Sequence, residues 1–125
     1  MRSRLLASLC IATAALLLMA ATSDGDWLTR VPDRDRMRSN PLAAEPDAAV
    51  AGAKLFQQHC AACHGVNAEG KSKHPNLHTD VVREAQPGEL QWLLTNGSLR
   101  RGMPSWSRLP EQQRWQIVAY LKTLK

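Results

Sequence analysis

The apolar positions of this chain fall into blocks of different kind. Leu5 to Ala21 is a run of 17 residues in which only Ser8 and Thr13 are polar, predicting an N-terminal apolar helix at about the short limit of a membrane span. Residues 24–47, DGDWLTRVPDRDRMRSNPLAAEPD, follow neither a helical nor a strand period and hold three prolines among mixed charges, the pattern of an exposed flexible linker. A helical period resumes after Asp47, an N-cap behind Pro46. There Val50, Ala53 and Phe56 or Gln57 recur on one face, so a short helix ends near Cys60. From Gly65 to Gly88 large apolar residues are sparse, which predicts a long irregular loop of the kind that is functional or wrapped around something. Glu89 to Leu94 predicts a second helix stopped by Asn96-Gly97. Pro110 and Glu111 open a third, whose Ile117, Val118, Leu121 and Leu124 share a face. No strand alternation or internal repeat occurs, so the expected fold is all-α with three main helices and long loops.

Length narrows this further. With 125 residues and a single Phe, the chain makes one folded domain, over residues 48–125, and two packed domains are ruled out. Three helices and a 24-residue loop bury little apolar surface by themselves, so a metal or cofactor is expected to complete the core. The net charge of +5 falls to +3, 14 basic against 11 acidic residues, once Arg2 and Arg4 are set aside. That balance is too mild for nucleic acid. Residues 24–45 carry −1, and the basic surplus of +4 lies from residue 46 onward.

Arg2 and Arg4 ahead of the apolar run have the layout read by the export machinery, so residues 1–23 are a signal peptide or an uncleaved membrane anchor through residues 5–21. In both cases the basic end stays inside and everything after Asp24 is exported to the periplasm, soluble after cleavage or tethered to the outer face of the cytoplasmic membrane. The candidate cleavage exits, Met19-Ala20-Ala21 and Ala21-Thr22-Ser23, are weak ones. Cys10 follows the bulky Leu9, against a lipid attachment site, and reads as one more apolar residue of this helix.

Chemistry concentrates in Cys60-Ala61-Ala62-Cys63-His64, the C-x-x-C-H attachment signature of c-type haem. Two thiols three residues apart reach the two vinyl groups of a porphyrin as thioethers, and the next residue then holds an imidazole on one face of the iron. A zinc site would have to recruit His59, His74 or His78 as a fourth ligand, without the usual second C-x-x-C. A thioredoxin-like redox pair lacks its βαβ setting, and a disulfide across so short a loop is rare.

With these motifs in order, residues 48–125 resemble the class I c-type cytochromes, the small monohaem bacterial and mitochondrial-type family. Gly52-Ala53-Lys54-Leu55-Phe56 before the haem motif is similar to the family's N-terminal helix, in which a Gly lets the C-terminal helix cross closely. Pro75-Asn76-Leu77 resembles the family's Pro-Asn-Leu, whose Pro carbonyl accepts the proximal imidazole N–H. Gly102-Met103-Pro104 resembles the sixth-ligand turn, and Trp115 to Leu124 the final helix, with Tyr120 as its aromatic contact to the first. The resemblance implies one covalent haem c on Cys60 and Cys63, His64 and Met103 as axial iron ligands, and Pro75 and Trp106 as haem surroundings. It also places Arg100 or Arg101 to offset propionate charge. His59, His74 and His78 read as exposed or loop residues, Met37 as a linker residue, and Trp27 and Leu28 as groups on the domain surface or at a membrane interface.

Both axial positions filled would leave no access for substrate at iron, so the implied role is a one-electron carrier rather than an enzyme. Its expected partners are redox proteins, a donor dehydrogenase or complex and an acceptor oxidase, met through weak encounters steered by Lys54, Lys71, Lys73 and Arg101. Two other readings stand beside it. One is a haem enzyme or a gas- or peroxide-binding protein with a labile sixth ligand. The other is an electron-accepting subunit of an exported dehydrogenase.

Overall fold

The structure, a computed structural model, describes residues 25–125; the expected leader, residues 1–23, lies outside the described residues. Six helices follow in order: α1 Asp33–Arg36, α2 Ala48–His59, α3 Ala61–His64, α4 Asp80–Glu84, α5 Pro87–Asn96 and α6 Glu111–Leu121. Single 3-10 turns occupy Asp26–Arg30 and Leu99–Arg101. Among the described residues no strand forms, only the isolated pairings Lys71 with His74 and Ser98 with Met103, so the fold is all-α as expected.

The frame is the crossing of α2 and α6. Gly52 permits it: a Cβ there would lie 1.9 Å from the Gln116 carbonyl oxygen and 3.0 Å from Tyr120 Cβ, so the two backbones meet without a side chain between them. One turn further along, Phe56 and Tyr120 pack with ring centroids 5.1 Å apart in a tilted arrangement. Phe56, Ile117 and Val118 are fully buried beside them, each contributing about 1.5–3 kcal/mol by leaving water.

The second long helix, α5, begins two residues earlier than its apolar residues indicate. Pro87 stands at its first position, and the Glu89 carboxylate accepts the Gln86 N–H at 2.7 Å to close a capping box, so orphan donors of the first turn are satisfied locally. The loop 65–88 departs from the expected irregular course over α4, which Thr79 caps by accepting the Val82 N–H, directing Val81 and Val82 inward.

Residues 24–47 are the main correction to the sequence reading. The described part of this stretch is a packed arm rather than a flexible linker, with Trp27, Val31 and Asn40 buried. Its attachments to the rest of the protein all lie far along the chain, with two further bonds inside the arm itself. Arg36 donates to Glu89 at 2.6 Å and to the carbonyls of Leu28 and Val31, Asn40 Nδ2 donates to the Trp115 carbonyl at 3.0 Å, and Arg38 pairs with Glu111 and lies over the Trp115 ring. Gly88 lets the arm approach α5, since a Cβ there would be 2.0 Å from the Asp35 carbonyl oxygen. Trp27 accordingly belongs to the core, and Met37 is an exposed large apolar residue of this segment.

Candidate functional site

A cavity of about 410 Å³ opens between α2, α5, the loop after α3 and the segment 98–106. Cys60, Cys63, His64, Pro75, Met103 and Trp106 all line it. Its remaining wall is mainly apolar, built by Phe56, Leu77, Val81, Leu90, Leu94 and Ile117, and no carboxylate is among its lining residues. A larger but open depression, about 510 Å³, lies at the seam where the arm crosses α6; its charged groups, Arg38 and Glu111, already pair with each other.

The first donor set comes from the junction of α2 and α3. The backbone turns at Cys60, whose N–H still bonds to the Phe56 carbonyl while its own carbonyl accepts from Cys63 and His64. Both cysteines carry free thiols, Cys60 half-buried and Cys63 exposed. Burial, and then the neighbouring Cys63 sulfur, push the Cys60 thiol up to about 11, so it stays protonated near neutrality. Gly65 in a left-handed conformation, φ 84°, ends α3, and a Cβ there would strike the Glu69 carboxylate.

His64 is oriented by its other nitrogen. Nδ1 lies 3.0 Å from the Pro75 carbonyl oxygen, which can only accept, so Nδ1 carries the proton and Nε2 keeps its lone pair. The Pro75 loop is held in turn by Gly70 N–H to the His64 carbonyl at 2.7 Å and Leu77 N–H to the Ala68 carbonyl at 2.8 Å.

Met103 reaches the cavity from a two-ended tie. Ser98 and Met103 exchange both backbone hydrogen bonds, at 2.9 and 3.1 Å, closing a turn over residues 98–103 in which Gly102 adopts φ 81°. Gly97, φ 71°, lets that turn pack down, because a Cβ there would lie 2.7 Å from the Met103 carbonyl oxygen. Trp106 is fixed by its N–H to the Leu94 carbonyl at 2.8 Å, with His59 against one side of its ring system and the Arg108 guanidinium 4.5 Å from the ring centroid.

The other candidates separate. His59, His74, Lys73 and Arg101 line the cavity, whereas His78, Lys54, Lys71 and Arg100 do not. His78 has both ring nitrogens on main-chain oxygens, 2.7 Å from Asn67 and 2.8 Å from Lys125, which removes it as an iron ligand. Arg101 pairs with Asp26 at 3.2 Å. Among the described residues no three His, Cys, Asp or Glu side chains gather as a metal cage, so the donor set does not suit zinc. Trp27 is a lining residue that the sequence reading missed, as is the contact of Arg108, itself outside the lining, with Trp106. Arg108 had a local signal, two residues beyond an aromatic in a turn; Trp27 had none.

The family model described as cytochrome c oxidase, cbb3-type, subunit III matches residues 47–121. The chain belongs to this family. It is a small monohaem c-type cytochrome domain, and that membership supports a role in electron transfer. The crystal structure of cytochrome CL from the marine methylotrophic bacterium Methylophaga aminisulfidivorans MPT is similar in fold, with a TM-score of 0.58 and 27% sequence identity. That similarity covers 68% of this chain, which spans only 58% of the length of that cytochrome. The geometry suits such a cofactor on its own terms: a broad apolar cavity, two thiols at its edge, and an imidazole whose free lone pair is selected by the Pro75 carbonyl.

Proposed function

We propose that the protein is an exported one-electron carrier with a single covalently attached haem c. Cys60 and Cys63 would hold the group as thioethers, and His64 and Met103 would supply its iron ligands. When bound, the haem supplies a one-electron Fe(III)/Fe(II) couple whose potential is raised by thioether ligation relative to a second nitrogen. The observation that carries the reading is the His64–Pro75 hydrogen bond at 3.0 Å, which commits the imidazole to one tautomer with Nε2 available as a donor.

The chain's own contribution is preorganisation. Pro75 orients His64, the Ser98–Met103 tie restrains the thioether, and Phe56, Leu90, Leu94 and Ile117 exclude water from the interior. Side chains held so firmly would keep the rearrangement of the site small between the oxidation states of the bound group. Lys73 and Arg101, at the cavity wall, are placed to steer acidic redox partners.

A second reading, a subunit of a larger redox complex, is favoured by the oxidase-subunit family to which residues 47–121 belong. It leaves the chemistry of the site unchanged. Stable co-purification with an enzyme supports it, and a freely monomeric carrier opposes it. The carrier reading itself is tested on the exported, matured protein by optical spectroscopy. The expected result is a c-type reduced spectrum with a ferric far-red sulfur band that disappears in Met103→Ala. Absence of that band with rapid CO binding replaces the closed carrier by an open-site haem protein, and absence of covalent haem ends both.

A further inference from the structure

The family match begins at residue 47, yet a wall of the cavity comes from before it: Trp27, buried to 7% exposure, lines the same space as Met103. The 3-10 turn that carries Trp27, Asp26–Arg30, is tied to the Met103 turn at two points. Asp26 pairs with Arg101 at 3.2 Å, and Arg30 Nη2 donates to the Ser98 hydroxyl at 3.4 Å. Ser98 is the residue that exchanges both backbone hydrogen bonds with Met103, and Arg101 belongs to the three-residue turn between them. Asp26 and Arg30 therefore grip the two sides of the turn that presents the thioether, and Trp27 fills the space between the grips.

We infer that residues 26–30 are a clamp on the sixth-ligand turn, with Asp26, Trp27 and Arg30 acting as positioning residues that keep Met103 directed into the cavity. The inference rests on the proposed ligation by Met103 and adds a dependence on a segment outside the family domain. Removing the clamp leaves the covalent attachment at Cys60 and Cys63 untouched and frees the turn to swing outward. The open-turn population then rises, and with it the access of an external ligand to the position Met103 would hold.

The test uses matured full-length protein and two readouts, the ferric far-red sulfur band and the rate of CO binding to the reduced form. Trp27→Ala, and separately the paired change Asp26→Asn with Arg30→Gln, are expected to weaken the band and speed CO binding by roughly three- to fivefold, the scale of a half-exposed ion pair lost. Trp27→Phe is expected to restore most of both. Arg38→Gln serves as the control, because Arg38 fastens the same arm to Glu111 and Trp115 instead of to the turn. It is expected to loosen the arm without moving either readout. Unchanged band and CO rate in the paired variant overturn the clamp even if Trp27→Ala fails to fold, and so does an equal change in Arg38→Gln. A wild-type protein without the band fails at an earlier and separate step, refuting ligation by Met103 and the clamp with it.

Discussion

Replacing Glu89 by alanine tests how the arm is fastened to the helical frame. The Glu89 side chain is 6% exposed, with one oxygen 2.6 Å from Arg36 Nη1 and the other 2.7 Å from the Gln86 N–H. A hydrogen bond to a charged group contributes about 1.5–3 kcal/mol. Arg36 is 39% exposed, however, so solvent screening lowers the ion-pair part to about 1–2 kcal/mol. Loss of the capping interaction adds roughly 0.5–2 kcal/mol. Glu89→Ala should therefore destabilise the protein by about 2–4 kcal/mol, and Glu89→Gln, which can still accept from Gln86, by about 1–2 kcal/mol. The assay is equilibrium unfolding of the matured protein in guanidinium, run as a double-mutant cycle with Arg36→Ala. A coupling energy of about 1–2 kcal/mol is expected, together with faster proteolysis confined to residues 25–47. Coupling below about 0.5 kcal/mol would refute the reasoning, since the arm would then be held by something other than this pair.

Gly52→Ala should destabilise by at least about 1–3 kcal/mol and alter the near-ultraviolet signal of Tyr120, because the added methyl meets the Gln116 carbonyl at 1.9 Å; a variant as stable as the parent would mean that the helices do not cross there. His78 should titrate above the ordinary histidine value of 6.5, raised first by its bond to the Asn67 carbonyl and then by that to Lys125. With the folded value raised, this stabilisation is complete below the unfolded value and is lost as pH rises through the folded one. The unfolding temperature should therefore fall over that window more in the parent than in His78→Asn, and an NMR titration placing His78 at or below 6.5 would exclude the doubly donating imidazolium.

Short-range chemistry was legible in the sequence. Cys60, Cys63 and His64 lie within one turn and Gly52 in the helix just before them, while Met103 stands between a Gly and a Pro, so their local patterns bring all five to attention. The earlier start of α5 was legible too, in Gln86-Pro87 and Glu89, but an apolar period starting at Leu90 obscured it. The arm was not. Residues 25–47 carry no period because they form no extended regular element, and each of their attachments depends on a residue more than fifty positions away, as with Arg36 and Glu89 or Asn40 and Trp115. Mixed charge and proline describe a solvated linker and a docked strap equally well until the partner surface is known.

The pairing of Asp26 with Arg101 and of Asn40 with Trp115 also orders events in time. Each closes a loop of about 75 residues, and the entropy of such closures must be met before the contacts return any free energy. Helix turns such as Cys60 to His64 form early by comparison, from neighbours in the chain. The two thiols and the imidazole thus rest on local contacts, whereas the wall supplied by Trp27 rests on the meeting of residues 26–30 with the 98–101 turn. The strap therefore supplies its wall only by a long-range contact, so the side of the cavity at Trp27 is closed by residues far in sequence from the Cys60–His64 turn that faces it.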